Sequence, residues 1–195
     1  MSFAKINNFI RPEVADYLVA CANYIKPQKN PNDYWEGMAT YVNEFTMQEA
    51  KDYLYELSTN MLLHTMKTFK VIKPLFRETI VVGTWQEGKY LTPHRDNEIY
   101  SGQEDLATPW RDFTAVTYLN DDYEGGELIL PDYRYQAKPR KGECAIFPAD
   151  TLHGVSEITK GCRYTVVTWM TYDHTHQMDI PRFTVRGVKA NSGGG

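Results

Sequence analysis

The run Tyr164-Thr165-Val166-Val167-Thr168-Trp169-Met170-Thr171-Tyr172 is rich in β-branched and aromatic residues, which favour extended strands. Shorter runs of the same character precede it, separated by turn-forming segments; they cover residues 78–85, 91–94, 113–119, 127–130, 143–147 and 155–158. Helical patterns of 10–15 residues do not alternate with these runs, which disfavours a parallel sheet built from βαβ units. The pattern predicts a mainly β fold whose core is an antiparallel double-stranded β-helix, or jelly roll.

Two helices are predicted ahead of these strands. Pro12 is typical of a first helical turn, and apolar residues recur at helical spacing from Val14 to Ile25. Thr46 and Glu49 match a capping box, and the apolar stripe behind them predicts a second helix that ends near residue 70. We expect both helices to pack against one sheet from outside.

The length of 195 residues suits a single domain, which we place at residues 1–190. Helical support is expected over about residues 1–75 and the jelly-roll core over about residues 76–175. Residues 191–195, Asn-Ser-Gly-Gly-Gly, have the composition of a flexible tail.

The charge and apolar patterning of the chain bear on its partners and location. A net charge of -4 and a pI of about 5.7 disfavour nucleic acid as a partner, because a mildly acidic surface repels phosphates. No apolar stretch approaches the length of a membrane span, and the N-terminus does not resemble a signal peptide. Three cysteines without a CxxC pair favour a reducing compartment. We therefore expect a soluble cytoplasmic protein.

A candidate metal site begins at His94-Arg95-Asp96. Residues two apart on a strand point to the same face, so His94 and Asp96 can converge on one ion. His153 is the best candidate for a third ligand. Two histidines and one carboxylate leave coordination positions open, as in non-haem Fe(II) oxygenases, whereas a structural zinc site is closed. The alternative is a partly exposed His–Asp pair at a strand end.

A second alternating pair, His174 and His176, lies in polar sequence beyond the last strong strand. We interpret both histidines as surface residues rather than metal ligands.

Arg163 is the candidate anion-binding residue. If residues 153–158 and 163–172 pair as a hairpin, Arg163 returns beside the metal site, where its guanidinium can clamp a carboxylate with two hydrogen bonds. The alternative is an ordinary arginine at a strand end, with its stem packed and its head in water.

Together these residues resemble the 2-oxoglutarate- and Fe(II)-dependent dioxygenases. The likeness covers about residues 77–173 and is greatest to prolyl 4-hydroxylase-type catalytic domains, including the oxygen-sensing prolyl hydroxylases. Besides His94, Asp96, His153 and Arg163, it rests on the segments 93–97, 118–120, 125–128, 139–147, 152–155 and 161–164. Two positions depart from the family pattern: collagen-type enzymes usually have lysine where Arg163 stands, and many members have tyrosine where Trp85 stands.

The resemblance implies roles for individual residues. His94, Asp96 and His153 would bind Fe(II), Arg163 would bind the distal carboxylate of the co-substrate 2-oxoglutarate, and Tyr118 would donate its hydroxyl to that carboxylate. O₂ would be the second co-substrate, succinate and CO₂ would be released, and ascorbate is a possible further cofactor. The implied substrate is a protein or peptide that contains proline.

Several alternatives stay open at the level of the sequence. The same chemistry could act on a free amino acid, another side chain or a small metabolite, and a metal-binding jelly roll without catalysis is a further alternative. Residues 97–112 form a long polar insertion that either contacts substrate or is a surface loop. We assign Gly125 and Gly126 a role in backbone geometry rather than in catalysis.

Overall fold

The computed structural model describes residues 3–25, 38–98 and 108–178, and within these ranges it contains two α-helices and twelve β-strands. In chain order the elements are β1 (Ala4–Ile6), α1 (Pro12–Ile25), β2 (Ala39–Tyr41), α2 (Gln48–Thr68), β3 (Phe76–Gln86), β4 (Leu91–His94), β5 (Phe113–Tyr118), β6 (Glu124–Gly125), β7 (Leu128–Leu130), β8 (Tyr135–Ala137), β9 (Cys144–Pro148), β10 (His153–Val155), β11 (Ile158–Lys160) and β12 (Cys162–Thr171). Short 3-10 helices lie at Val42–Glu44, Pro131–Tyr133 and His174–His176.

The strands form two main antiparallel sheets. The major sheet has the order β1-β9-β5-β12-β3-β2, and the minor sheet has the order β4-β10-β7-β8. A third sheet pairs β11 with β6. Side chains from β5, β7 and β9 meet in one buried cluster between the main sheets. The predicted mainly β architecture is confirmed.

The two faces of the major sheet have different neighbours. On β12, Val166 and Met170 are fully buried in the cluster that includes the helices. The alternate residues Arg163, Thr165 and Trp169 line a cavity on the other face. Because successive side chains of a strand point to opposite faces, β12 separates the helix-packed core from this cavity.

The helices pack on the outer face of the major sheet, as expected. Helix α1 begins at Pro12 and buries Val14, Leu18, Cys21 and Ile25. Its predicted bounds and buried face are therefore confirmed.

The capping-box prediction for α2 is wrong. The helix starts at Gln48, so the cap is Met47, which makes no side-chain capping hydrogen bond. Thr46 stands one residue too early to cap the first turn, and its hydroxyl contacts the sulfur of Met47 instead.

Residues 153–158 and 163–172 do not pair as the hairpin considered for Arg163. The first of these segments is two strands, β10 and β11, which lie in different sheets. Strand β10 pairs with β4 and β7, whereas β12 pairs with β3 and β5. Long-range partners therefore replace the hairpin between neighbouring segments.

Three further predictions concern membrane spans, the segments 191–195 and 97–112, and the domain boundary. Within the described ranges, no helix combines the length and apolarity needed to cross a membrane. The tail at residues 191–195 and positions 99–107 of the long insertion lie outside the described residues. The boundary of the single domain at residue 190 stays a prediction.

Candidate active site

The three predicted metal ligands meet where β4 pairs with β10. His94 and His153 are directly opposite each other in this pair, with ring centroids 4.4 Å apart. Asp96 follows β4, and its backbone N–H donates to the carbonyl of Ala149 at 2.9 Å. Its carboxylate oxygens lie 3.4 Å from Nε2 of His94 and 3.6 Å from Nε2 of His153. One ligand atom from each residue lies within 4.8 Å of the other two, a spacing that can hold one metal ion.

Both imidazoles are oriented by their own strands. Nδ1 of His94 lies 3.0 Å from the carbonyl of Thr92, and Nδ1 of His153 lies 3.0 Å from the carbonyl of Thr151. Since a carbonyl only accepts, these contacts assign the proton of each neutral ring to Nδ1. The lone pair of each Nε2 then faces the Asp96 carboxylate, as metal coordination requires.

The Asp96 carboxylate is buried yet ionised. Burial by itself raises the pKa of Asp96, but the nearby His153 and His94 and a 2.5 Å hydrogen bond from the Thr114 hydroxyl outweigh it and hold the pKa well below its ordinary value. Burial lowers the pKa of His153, whereas at His94 the Asp96 carboxylate outweighs burial and raises the pKa. The site thus offers one anionic and two imidazole ligands, a donor set that leaves half of an octahedral shell open.

Arg163 and Tyr118 form a second polar centre in the same cavity. Arg163 is only 2% exposed, and within the described residues no carboxylate pairs with it. Its guanidinium carbon lies 5.1 Å from the Tyr118 ring and 5.7 Å from the Trp85 ring. A buried arginine without a carboxylate needs an anionic partner, because leaving its charge uncompensated costs several kcal/mol.

Unpartnered polar atoms cluster around this arginine. Nε of Arg163, the hydroxyl of Tyr118 and the hydroxyl of Thr165 are buried without a hydrogen-bond partner among the described residues. Thr165 and Tyr118 are directly opposite each other on β12 and β5. Burial raises the pKa of Tyr118, so its hydroxyl keeps its proton and can donate. Since native structures leave few buried polar groups unpaired, this cluster fits a bound anion that accepts hydrogen bonds.

A cavity of about 520 Å³ contains both centres. This volume falls in the range of small-molecule sites and exceeds the needs of a metal ion alone. Further large side chains line the cavity, among them Met38, Tyr41, Glu78, Trp110, Arg111 and Trp169.

All five residues predicted for the site line this cavity: His94, Asp96, His153, Arg163 and Tyr118. The structure adds Thr114, Thr165 and Glu78, which the sequence reading missed. Alternation along β5 and β12 could have identified Thr114 and Thr165, because they share a face with Tyr118 and Arg163.

Other predictions near the site have mixed outcomes. Trp85 and Trp169 also border the cavity. His176 stacks on Trp110 with 3.9 Å between ring centroids and takes no part in lining the cavity. Gly125 and Gly126 have φ angles of +71° and +64°, which confirms their role in backbone geometry.

Known proteins share both the sequence pattern and the fold. Residues 79–171 match the 2OG-Fe(II) oxygenase superfamily. A PKHD-type hydroxylase of Saccharophagus degradans is 31% identical over 115 residues, which are 57% of this chain and 48% of that protein. Human prolyl 3-hydroxylase 2 is 37% identical over 78 residues, which are 36% of this chain and 11% of that protein. The chain spans about half the length of the bacterial PKHD-type relatives.

A solved structure with the same fold is the viral collagen prolyl hydroxylase of Paramecium bursaria Chlorella virus-1 in complex with 2OG. The TM-score is 0.67 at 19% identity, over 88% of this chain and 96% of the viral one. This likeness establishes the jelly-roll fold. Residues 79–171 thus match the 2OG-Fe(II) oxygenase superfamily in sequence and carry a His-Asp-His cluster consistent with binding of Fe(II) and use of 2-oxoglutarate, within the same fold as the viral enzyme.

Proposed function

We propose that this protein is a dioxygenase that hydroxylates prolyl residues in a protein or peptide and releases succinate and CO₂. The observation that carries the proposal is that one cavity joins the His94–Asp96–His153 cluster to the buried Arg163, which has no carboxylate partner among the described residues. A metal site and an anion site within one enclosed space suit a metal ion and a dicarboxylate that act together.

The residues fit Fe(II) as follows. His94, Asp96 and His153 would hold the ion through Nε2, a carboxylate oxygen and Nε2, respectively. The Thr114 hydroxyl donates a hydrogen bond to Oδ2 of Asp96 and thereby orients the carboxylate. When bound, Fe(II) with 2-oxoglutarate and O₂ supplies the oxidising chemistry that inserts a hydroxyl group into substrate.

Arg163 and Tyr118 would hold the far carboxylate of 2-oxoglutarate. The guanidinium offers a rigid fork to a carboxylate, and the protonated phenol adds one donor. The Thr165 hydroxyl, also unpartnered, can donate to the same group. Trp85 and Tyr118 flank the guanidinium and exclude water from it, which strengthens its attraction for an anion.

The proline part of the proposal has two supports. Relatives named as prolyl hydroxylases share the sequence pattern or the fold. In addition, Tyr41, Trp110 and Trp169 line the cavity. Flat aromatic surfaces suit the apolar ring of proline, as in other sites that bind proline-rich segments. Ascorbate as a further cofactor and a cytoplasmic location stay predictions from the sequence.

Substrate-dependent succinate release tests the proposal. Purified protein with Fe(II), 2-oxoglutarate and O₂ is offered proline-containing peptides and, separately, free amino acids, and peptide products are examined by mass spectrometry. We expect hydroxylated proline in at least one peptide and no turnover in the His94→Ala/Asp96→Ala double variant. Arg163→Ala should retain metal binding and require much more 2-oxoglutarate.

Three outcomes would contradict parts of the proposal. Turnover in the double variant would overturn the metal assignment. Activity on free amino acids alone would overturn the peptidyl substrate. Metal binding without consumption of 2-oxoglutarate under any condition would indicate a binding module without catalysis.

A further inference from the structure

Strand β3 contains a β-bulge at Glu78. Thr79 pairs with Trp169 and Arg77 pairs with Met170, so Glu78 is the extra residue between two consecutive pairs. Strict alternation from Thr79 would direct Glu78 to the helix-packed face of the sheet. The bulge instead places Glu78 in the cavity and Arg77 against α2, where Arg77 donates to the carbonyl of Tyr55.

In the cavity, Glu78 forms a two-bond ion pair with Arg111. Nε of Arg111 lies 2.7 Å from Oε2 of Glu78, and Nη2 lies 2.8 Å from Oε1. Both side chains are about 15% exposed, at 14% for Glu78 and 15% for Arg111. The guanidinium carbon is 4.0 Å from the centre of the Trp169 ring. Bidentate geometry and stacking on the indole fix Arg111 in one position at the cavity wall.

The charges that line the cavity can be assigned to separate partners. Besides the histidines, the charged residues in its wall, among those that the structure describes, are Asp96, Arg163, Glu78 and Arg111. Under the proposed function, Asp96 belongs to the metal and Arg163 to 2-oxoglutarate. Glu78 and Arg111 then remain for the substrate end, and their charges cancel.

This arrangement determines which groups Arg111 can still bind. Glu78 occupies the Nε/Nη2 edge of the guanidinium, and Nη1 has no hydrogen-bond partner among the described residues. A neutral carbonyl can accept one hydrogen bond from Nη1. An entering carboxylate would meet Glu78 beside the same guanidinium, and like-charge repulsion opposes its binding.

We infer that Glu78 is a specificity-determining residue: by neutralising Arg111, it makes the substrate end of the cavity accept an uncharged peptidyl segment and reject the carboxylate of a free amino acid. The inference rests on the proposed function and refines its substrate class. The Glu78–Arg111 pair would also distinguish a prolyl residue within a peptide from free proline. The shape of the pyrrolidine ring cannot do so, because the ring is the same in both.

A pair of probes that differ only in charge tests this inference. N-acetyl-L-prolinamide is neutral, and N-acetyl-L-proline carries a carboxylate. Each is titrated into protein loaded with Zn(II) and 2-oxoglutarate, which does not turn over, and binding is followed by protein NMR. Wild type should prefer the amide. Glu78→Gln keeps the shape of the side chain and removes its charge, so the preference should shift toward the carboxylate by about tenfold or more.

Two further variants make the test specific. Glu87→Gln, at an exposed position outside the cavity, changes the net charge equally and should leave the preference as in wild type. Arg111→Met leaves the Glu78 charge unbalanced and should shift the preference further toward the amide. This variant also keeps the inference testable if Glu78→Gln does not fold.

The outcomes separate the two proposals. If both probes bind but Glu78→Gln and Arg111→Met show the wild-type preference, the role of Glu78 is wrong and the proposed function stands. If neither probe binds wild type or either variant, the inference about Glu78 is wrong, and the proposed function is decided separately by turnover of proline-containing peptides.

Discussion

The hydroxyl of Thr114 donates a 2.5 Å hydrogen bond to Oδ2 of Asp96. Thr114 lies on β5 of the major sheet, whereas the histidines of the cluster lie on the minor sheet. This contact therefore links the carboxylate of the candidate metal site to the opposite wall of the jelly roll. Hydrogen bonds of this kind orient metal ligands and are commonly needed for full metal affinity.

Thr114→Val should weaken metal binding without unfolding the protein. Loss of a partner of a metal ligand typically lowers metal affinity by about 10- to 100-fold, and we expect the lower end because Asp96 keeps its backbone contact. Calorimetric titration with Mn(II) measures the change. Thr117→Val, on the same strand but the other face, is the matched control. Equal affinities in the two variants would show that Thr114 does not orient Asp96.

Gly126→Ala should destabilise the fold and weaken 2-oxoglutarate binding. Gly126 has a φ angle of +64°, and an added Cβ would lie 2.5 Å from Ile158, 2.8 Å from Tyr123 and 3.1 Å from Cδ of Arg163. Steric conflict and backbone strain should lower the free energy of unfolding by about 2–3 kcal/mol, and Arg163 must shift.

The control for this substitution is Gly88→Ala. Gly88 also has a positive φ, of +80°, but an added Cβ would meet no atom within 4 Å. It should cost only the backbone strain, about 1 kcal/mol, and leave 2-oxoglutarate affinity intact. Thermal unfolding and 2-oxoglutarate titration compare the two variants, and identical behaviour would contradict the proposed contact with Arg163.

Arg77→Leu should destabilise the protein while sparing the metal site. Nη1 of the buried Arg77 donates to the carbonyl of Tyr55 and to the hydroxyls of Ser58 and Thr59, and so joins β3 to α2. Both hydroxyls also donate to Tyr55, so they retain one partner when the arginine is removed. We expect a loss of about 2 kcal/mol in the free energy of unfolding, seen in chemical denaturation.

The matched control for this variant is Arg140→Leu, which removes an exposed arginine. It should change the free energy of unfolding by less than about 0.5 kcal/mol. Unchanged Mn(II) affinity is expected in both variants. Equal stability of the two would mean that Arg77 does not hold α2 against the sheet.

Cys144 should resist alkylation in the native protein. Burial raises the pKa of its thiol to about 12, so at pH 8 the reactive thiolate is essentially absent, and the side chain is fully buried. Cys162 is partly exposed and should be modified first. Peptide mass spectrometry after iodoacetamide treatment, with and without denaturant, checks this order. Early modification of Cys144 under native conditions would contradict the burial of β9.

The sequence was enough to propose the candidate metal ligands, because the pattern that suggests them is local. His94 and Asp96 are two residues apart on one strand end, and the motifs around His153 and Arg163 match those of a known family. The same reason applies to three further features that the sequence predicted: the strand runs, the helix-supported core and the turn glycines. Each depends on residues close together in the chain.

The pairing of the strands could not be predicted from the sequence in this way. A hairpin with residues 153–158 would have brought Arg163 beside the metal site, but Arg163 reaches the cavity of that site for another reason. Strand β12 pairs with β5, which sets Thr165 opposite Tyr118 and directs Arg163 into the cavity. Antiparallel partners distant in sequence depend on the packing of both sheets, which the runs of β-branched residues do not specify.

The bulge on β3 explains why Glu78 also escaped the sequence reading. A single extra residue reverses the face to which its side chain points, and alternation alone assigns Glu78 to the helix side. The strand pairs on both sides of Glu78 are complete without it. At the level of the gene, Glu78 therefore resembles an in-frame insertion of one codon. Loss of that one codon would take the negative charge out of the cavity and leave the register of the neighbouring pairs unchanged.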